Sequence, residues 1–176
     1  MMNLPKPRPK MKHLMLALCS ATVLLLGSCS NGSEDEPQIA VPEKVSKALK
    51  TKYPSASQVV WRMSGTHYAA NCRMDGREME VWFNAAAVWK LTEVSITWEG
   101  LPALVWTGFN DGAYAGWTHT AAFWLQYPVN PPQYVLSVTN GGEAVQLFYS
   151  ADGHLLQTRA VSGKEGSQWP INEIAD

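Results

Sequence analysis

The side chains of this chain that could do chemistry are few, and the histidines come first among them. His67, His119 and His154 fall in separate predicted strands or turns, and no two of them have the helical spacing of a ligand pair. A metal site needs three or four converging ligands. We therefore expect no metal site, and we interpret the three histidines as surface residues.

A cysteine and two glutamates are the remaining candidates for catalysis. Cys72 lies on the apolar face of a predicted strand without a second thiol nearby, which favours a buried structural thiol over a nucleophile. Glu78 and Glu80 share a face of the next strand, but no closed apolar pocket that would raise one pKa is indicated. The chain has no phosphate-binding glycine loop and no nucleophile elbow. We expect no catalytic residue, no cofactor and no enzymatic activity.

The aromatic content is the unusual feature, because the chain contains eight tryptophans. If Met79 and its alternate neighbours face a helix layer, Trp82 faces the other way, and so does its repeat counterpart Phe148. Aromatic and arginine side chains are the types that anchor protein interfaces. The predicted partner-binding face therefore consists of these two rings and four charged neighbours: Trp82, Phe148, Arg62, Arg73, Glu78 and Glu80.

Two alternatives to this binding face stay open at the level of sequence. Loops or the C-terminal tail could cover the two rings, which would make them part of a core. Exposed tryptophans also stack on sugar rings, so a carbohydrate-binding surface lipoprotein is the alternative function. The preferred hypothesis is a non-enzymatic module that binds a protein or peptide partner through its open sheet face, with inhibition of that partner as one form of such binding.

The element that must position these residues occurs twice in the sequence. A hairpin of alternating apolar residues recurs at an offset of 66 residues, with matching aromatic, glycine and threonine positions. The matched pairs are Tyr68 and Tyr134, Gly76 and Gly142, Phe83 and Tyr149, and Thr92 and Thr158. A recurring unit of this kind cannot bury its apolar face alone, so neighbouring copies pack together. We expect the two units to share one sheet.

The fold class follows from the order of elements within each unit. Val41-Pro42-Glu43 opens a helix with its apolar stripe at Val45, Ala48, Leu49 and Tyr53, and Pro54 ends it. Alternating strands follow, and Asp75-Gly76 predicts a tight hairpin. The chain is therefore predicted to be α+β, a tandem repeat of one helix plus about four antiparallel strands, with an open sheet and helices on one face. The repeats span 41–96 and 101–161, and a shorter helical stripe in the second contains Leu104, Val105 and Phe109.

The first residues are typical of an export signal rather than of the folded domain. Residues 1–28 have a basic start and an uncharged apolar run, and they end at Leu26-Gly27-Ser28-Cys29, which resembles a bacterial lipobox. We expect Cys29 to carry lipid and to attach the chain to a membrane, with 29–40 as a flexible tether and 162–176 as a polar tail. The predicted location is the cell envelope, at the outer membrane. Translation could start at Met1, Met2 or Met11.

The charge of the mature chain excludes one class of partner. After Cys29 the sequence has ten basic and fifteen acidic residues, a formal charge of about −5. Binding of nucleic acid needs a basic stripe, so nucleic acid is not an expected partner. Cys72 is the one cysteine left once Cys29 is lipidated, so no disulfide framework is expected.

The ordered series of residues also resembles a known family. Val41-Pro42, Lys52-Tyr53-Pro54, Val60-Trp61, Val81-Trp82-Phe83-Asn84, Trp89-Lys90-Leu91-Thr92-Glu93 and Leu101-Pro102 are together similar to the PepSY-like, beta-lactamase-inhibitor-like lipoproteins. The resemblance covers about residues 40 to 160. It implies a tandem α+β fold without known catalytic residues, and binding to or restraint of an enzyme or peptide outside the cytoplasm.

One turn departs from the pattern of this family. The family has Asp-x-x-Gly after the aromatic strand, and Ala151-Asp152-Gly153 in the second unit nearly matches it. The first unit reads Asn84-Ala85-Ala86-Ala87 instead, so we expect its turn to differ in shape.

Overall fold

The computed structural model describes residues 39–161, which form two α-helices, one short 3₁₀ helix (Trp98–Gly100) and eight strands. The helices are α1 (Glu43–Lys52) and α2 (Ala103–Asn110). The strands are β1 (Ser57–Ser64), β2 (His67–Met74), β3 (Arg77–Phe83), β4 (Trp89–Ile96), β5 (Thr118–Gln126), β6 (Gln133–Asn140), β7 (Glu143–Ser150) and β8 (Leu155–Ala160). The order within each unit is one helix followed by four strands, as the repeat predicted.

The eight strands form one antiparallel sheet in which spatial order equals chain order. The sheet is open, with β1 and β8 at its edges, and β4 joins β5 at the boundary between the two units. The predicted α+β architecture with a shared sheet is therefore confirmed.

Each helix packs its apolar stripe on the strands of its own unit. Val45 and Leu49 of α1 are buried against a cluster that includes Ala70, Val81 and Phe83. In α2, Val105 and Phe109 are buried in the same way against β5, β6 and β7. Strand register places both clusters on the same side of the sheet, so both helices cover one face.

The helical stripe of the second unit is narrower than predicted. Leu104 is 58% exposed, whereas Val105 and Phe109 are buried. Residues four apart lie on one face of a helix, and the residue directly before Val105 is turned about 100° away from that face. The prediction that Leu104 packs in the core was wrong.

The tight turns take the backbone conformations that their sequences indicate. Asp75 and Gly76 have φ values of 50° and 76°, the positive pair that a two-residue hairpin of this type requires. Gly141 and Gly142 in the second unit have φ values of 57° and 98°. These equivalent hairpins set the register of β2 with β3 and of β6 with β7.

The turn after β3 does not differ in shape from its counterpart, contrary to the expectation from sequence. The backbone N–H of Asn84 donates to Val88 O at 3.0 Å, and that of Ser150 donates to His154 O at 3.0 Å. The Asn84 side chain supplies the local support, because its Oδ1 accepts from the N–H groups of Ala86 and Val88. Ala87 takes a φ of 66° where the second unit has Gly153 at 85°. The first unit therefore forms the same turn although Ala87 adopts a left-handed backbone conformation that is strained for alanine.

A third buried cluster lies on the face opposite the helices and joins the two units. It contains three residues from each unit: Ala69, Trp82, Leu91, Leu125, Val135 and Phe148. No helix among the described residues is long and apolar enough to cross a membrane. The predicted signal segment, lipid-attachment residue Cys29 and polar tail lie outside the described residues.

Candidate functional site

The face of the sheet opposite the two helices, which we call the open face, carries the residues predicted to bind a partner. Side chains alternate between the two faces of each strand, so Glu78, Glu80 and Trp82 of β3 all point to the open face. Register places Arg62, Arg73 and Phe148 there as well. The structure therefore puts all six predicted residues on one face, but it gives them very different surroundings.

The two predicted aromatic anchors are core residues and not bare rings. Trp82 is 0% exposed and Phe148 is 2% exposed, and both belong to the buried cluster that joins the units. The expectation of an exposed pair of rings is corrected by this burial. Every aromatic ring within residues 39–161 is buried or half-buried.

Arg62 and Glu80 form the central ion pair of the open face. Arg62 Nε donates to Glu80 Oε1 at 2.8 Å, and its Nη2 lies 2.6 Å from the same oxygen. The guanidinium also lies over the Trp82 ring, 5.0 Å from its centroid. Arg62 thus reaches across β2 from β1, which fixes the Glu80 carboxylate above a buried indole.

Glu93 is a second carboxyl directly beside this pair, and sequence reasoning did not select it. Strand register places Glu93 opposite Glu80, with the fully buried Leu125 on its other side. Glu93 is 5% exposed, and its Oε2 is buried without a hydrogen-bond partner among the described residues. A buried polar atom left in this state is costly.

The pKa directions of the two glutamates follow from these surroundings. Burial, followed by the Glu80 carboxylate, raises the pKa of Glu93 well above its usual value, and Arg62 opposes the rise. Burial also raises the pKa of Glu80, while Arg62 lowers it through charge and hydrogen bonding. Arg62 therefore lies near two carboxyl groups, and the pKa of Glu93 is raised more strongly than that of Glu80.

A groove of about 410 Å³ opens beside these carboxyls. Its lining includes Asn71, Glu80, Glu93, Ser95 and Phe123. The groove is therefore acidic on one side and partly aromatic on the other, and the charged groups at its floor belong to the first unit.

The second unit carries a different pair at the equivalent positions. At the offset of 66 residues, Gln146 replaces Glu80 and Arg159 replaces Glu93. Arg159 Nε donates to Gln146 Oε1 at 3.1 Å, and its Nη2 donates to the same oxygen. The Arg159 guanidinium lies 5.8 Å from the Phe148 ring centroid. The second unit thus contains a neutral acceptor matched to its own cation.

The remaining predicted residues, Arg73 and Glu78, lie toward the β2–β3 turn. They are opposite each other in the strand register and both are exposed. Together with Arg77, Trp124 and Tyr134 they line a second cavity of about 470 Å³. Arg73 and Glu78 thus lie near the turn and away from the buried centre of the open face.

The histidines and the cysteine do not form a chemical centre. His119 and His154 are exposed as predicted, but His67 is 2% exposed, so its prediction as a surface residue was wrong. Burial raises the pKa of the Cys72 thiol, as expected for an inert structural cysteine. Within residues 39–161 no three His, Cys, Asp or Glu side chains are grouped to hold a metal ion.

The signal for Glu93 was present in the repeat itself. Each unit places two polar residues opposite each other on the open face, and the change from a Gln–Arg pair to a Glu–Glu pair is visible once the units are aligned. This change is not detected when the units are aligned by their apolar and turn residues alone.

A comparison with protein families now identifies the chain. The model of the beta-lactamase-inhibitor-like, PepSY-like family matches residues 31–74 and 66–157. The chain belongs to this family. The resemblance drawn from the sequence is thereby confirmed, and a comparison with curated proteins finds no match.

Solved structures from Bacteroides share the PepSY-like fold. A BLIP-like protein from Bacteroides fragilis is 35% identical with a TM-score of 0.71, over 77% of this chain and 97% of that one. A DUF2874 family protein from Bacteroides ovatus is 30% identical with a TM-score of 0.73, over 78% and 99%. A Bacteroides eggerthii structure described as "putative periplasmic" is 25% identical with a TM-score of 0.67, over 70% and 91%.

Proposed function

We propose that this protein is a lipid-anchored, non-enzymatic binding module of the cell envelope that holds a protein or peptide partner on its open face. The observation that carries the proposal is the Arg62–Glu80–Glu93 cluster on that face, whose two carboxyl groups line a groove. Charged groups at this depth cost stability, and a role in binding would explain their presence. Both described helices cover the other face, so the groove is free of them.

The family and its members support the class of function. The family model is described as beta-lactamase-inhibitor-like, and the relative from Bacteroides fragilis is described as BLIP-like. An inhibitor acts by binding another protein, which agrees with an open groove lined by charged and aromatic side chains. Inhibition itself is part of this proposal, and the enzyme that would be restrained is not specified by the chemistry of the groove.

Attachment through Cys29 and an envelope location belong to the same proposal. The basic start, the apolar run and the lipobox-like Leu26-Gly27-Ser28-Cys29 support it, as does the similarity to a relative described as "putative periplasmic". We expect Cys29→Ser to move the protein from the membrane fraction to the soluble fraction, and mass spectrometry of the native protein to find an acylated Cys29. Equal fractionation of both proteins would contradict the lipid anchor.

The carbohydrate-binding alternative loses its support from the aromatic residues. Stacking on a sugar needs an accessible ring face, and Trp82 and Phe148 are both buried. Phe123 is the one aromatic residue among the described residues that line the groove, and its ring is half-buried, so the groove has no flat array of exposed rings. A protein or peptide partner therefore fits the open face better than a glycan.

Site-specific photocrosslinking tests the partner face directly. A benzoylphenylalanine at Asn71 would sit in the groove, and one at Leu104 would sit on α2 at an equally exposed site on the helix side. In the native envelope we expect a discrete adduct from position 71 and none from position 104. Adducts from both positions, or from position 104 alone, would overturn the assignment of the open face.

A further inference from the structure

The buried carboxyl of Glu93 has no explanation within the described residues alone. Its Oε2 is buried without a hydrogen-bond partner, while Arg62 is already bound to Glu80 Oε1. When both glutamates are ionised, the three groups carry one uncompensated negative charge. Because Glu93 also lines the groove, a partner can approach this charge from outside.

The second unit shows which chemical group fits such a position on this sheet. The residue equivalent to Glu93 is Arg159, whose guanidinium donates to Gln146 and lies near the Phe148 ring. In the first unit the guanidinium of Arg62 lies over Trp82 in a similar way. Planar guanidinium groups thus fit the open face at two places, beside an oxygen acceptor and an aromatic ring.

The floor of the groove offers the same two components once more. Glu93 supplies a free carboxyl oxygen, and Phe123 supplies a half-buried ring among the residues that line the groove. A volume of about 410 Å³ accommodates an extended side chain. A carboxylate pairs with a guanidinium through two parallel hydrogen bonds, which an ammonium group cannot reproduce.

We propose that the groove is a recognition site for an arginine side chain of the partner, whose guanidinium binds Glu93. This inference rests on the proposed function, because it assigns the chemistry of the partner at the same face. On binding, the Glu93 carboxylate pairs with the incoming cation. The open face would then hold one external guanidinium between two internal ones, Arg62 and Arg159.

Peptides that differ in a single charge test this site. We would titrate the isotope-labelled full-length protein with acetyl-Gly-Arg-Gly-amide and with the same peptide containing citrulline, a neutral copy of arginine. The Glu93 side-chain carboxyl carbon and the amide signals of Asn71, Ser95 and Phe123 report binding. We expect shifts that saturate with the arginine peptide only, and an affinity about tenfold or more weaker in Glu93→Gln, as loss of a charge-assisted pair predicts.

A matched variant and a free cation complete the experiment. Glu143→Gln changes a distant exposed glutamate and should leave binding unchanged. Methylguanidinium separates recognition of the bare cation from recognition within a peptide, and we expect it to bind more weakly than the peptide. Equal shifts from the citrulline peptide, no shifts from the arginine peptide, or full binding by Glu93→Gln would each overturn the arginine site.

The outcome is separable from that of the proposed function. Crosslinks from position 71 that persist in Glu93→Gln would overturn the arginine site and leave the partner face intact. Binding of the arginine peptide without any crosslink from position 71 would leave the site intact and contradict a protein partner.

Discussion

The two repeat units have the same fold but differ in how they balance charge on the open face. In the second unit Gln146 and Arg159 form a matched pair of a neutral acceptor and a cation. In the first unit Glu80 and Glu93 occupy the equivalent positions, and one arginine must serve both. The polar pair of the second unit is therefore joined by hydrogen bonds, while that of the first retains a carboxyl oxygen without a hydrogen-bond partner among the described residues. The Glu93 site that we propose to bind a partner therefore lies in the first unit.

The units differ again where each helix meets its sheet. In the second unit a Cβ on Gly108 would lie 2.0 Å from Gly153 O, so helix and turn are in backbone contact. At the offset of 60 residues that aligns Pro42 with Pro102, the first unit has Ala48 at the helix position, and Ala87 takes the place of Gly153. The second unit is thus closed more tightly between its helix and its turn.

The largest expected effect comes from breaking this close contact. Gly108→Ala should lower the free energy of unfolding by about 3 kcal/mol, because the added methyl group overlaps backbone atoms that cannot move aside. Gly116→Ala is the control, since a Cβ there meets nothing within 4 Å. Denaturant unfolding measures both. A loss below about 0.5 kcal/mol for Gly108→Ala would mean that the close contact between helix and turn does not distinguish the second unit from the first.

Removal of the two open-face arginines sharpens the comparison of charge. Arg62→Met leaves two buried carboxyls without a cation and should cost about 2 kcal/mol at neutral pH. Arg159→Met removes the hydrogen bonds to the neutral Gln146 amide and should cost about 1 kcal/mol. Chemical unfolding of both variants decides the point. Equal losses in the free energy of unfolding would show that the Glu–Glu pair of the first unit depends on its arginine no more than Gln146 depends on Arg159.

A smaller effect is expected at the strained turn of the first unit. Ala87→Gly should raise the free energy of unfolding by about 0.5 kcal/mol, because relief of the left-handed strain exceeds the added flexibility of the unfolded chain. Ala85→Gly, at an exposed position of the same turn without a positive φ, should slightly lower it. A thermal melt of each variant distinguishes the signs. A loss of stability in Ala87→Gly would contradict the strain.

The architecture could be predicted from the sequence because each repeat contains local signals for its helix, turns and strands. Pro42 and Pro54 bound the first helix, Asp75-Gly76 sets a hairpin, and alternating residues assign faces to the strands. Each of these signals acts over a few residues. The shared sheet then follows from the doubled pattern of apolar faces.

The composition of the open face was predicted in part, because burial there depends on contacts across the sheet. Trp82 and Phe148 were assigned to the correct face, but the shared cluster with Leu125 and Val135 that buries them is formed by strands from both units. The isolation of Glu93 likewise depends on its neighbours Glu80 and Leu125 on adjacent strands. Such cross-strand surroundings cannot be obtained from the alternation within one strand.

The dependence of stability on pH tests the central claim most directly. The folded pKa of Glu93 is raised above its unfolded value, so the folded state binds more protons, and stability falls as pH rises from about 4.5 through the folded pKa. Glu80 contributes in the same direction, and Asp152, whose pKa is lowered, acts only at more acidic pH.

We therefore propose to measure the free energy of unfolding of the native protein, Glu93→Gln and the control Glu143→Gln between pH 4.5 and 8. We expect the free energy of unfolding to fall with rising pH in the native protein and in Glu143→Gln, and to fall clearly less in Glu93→Gln. At neutral pH, Glu93→Gln should be the most stable of the three proteins. The same slope in all three proteins would contradict an uncompensated carboxyl at Glu93.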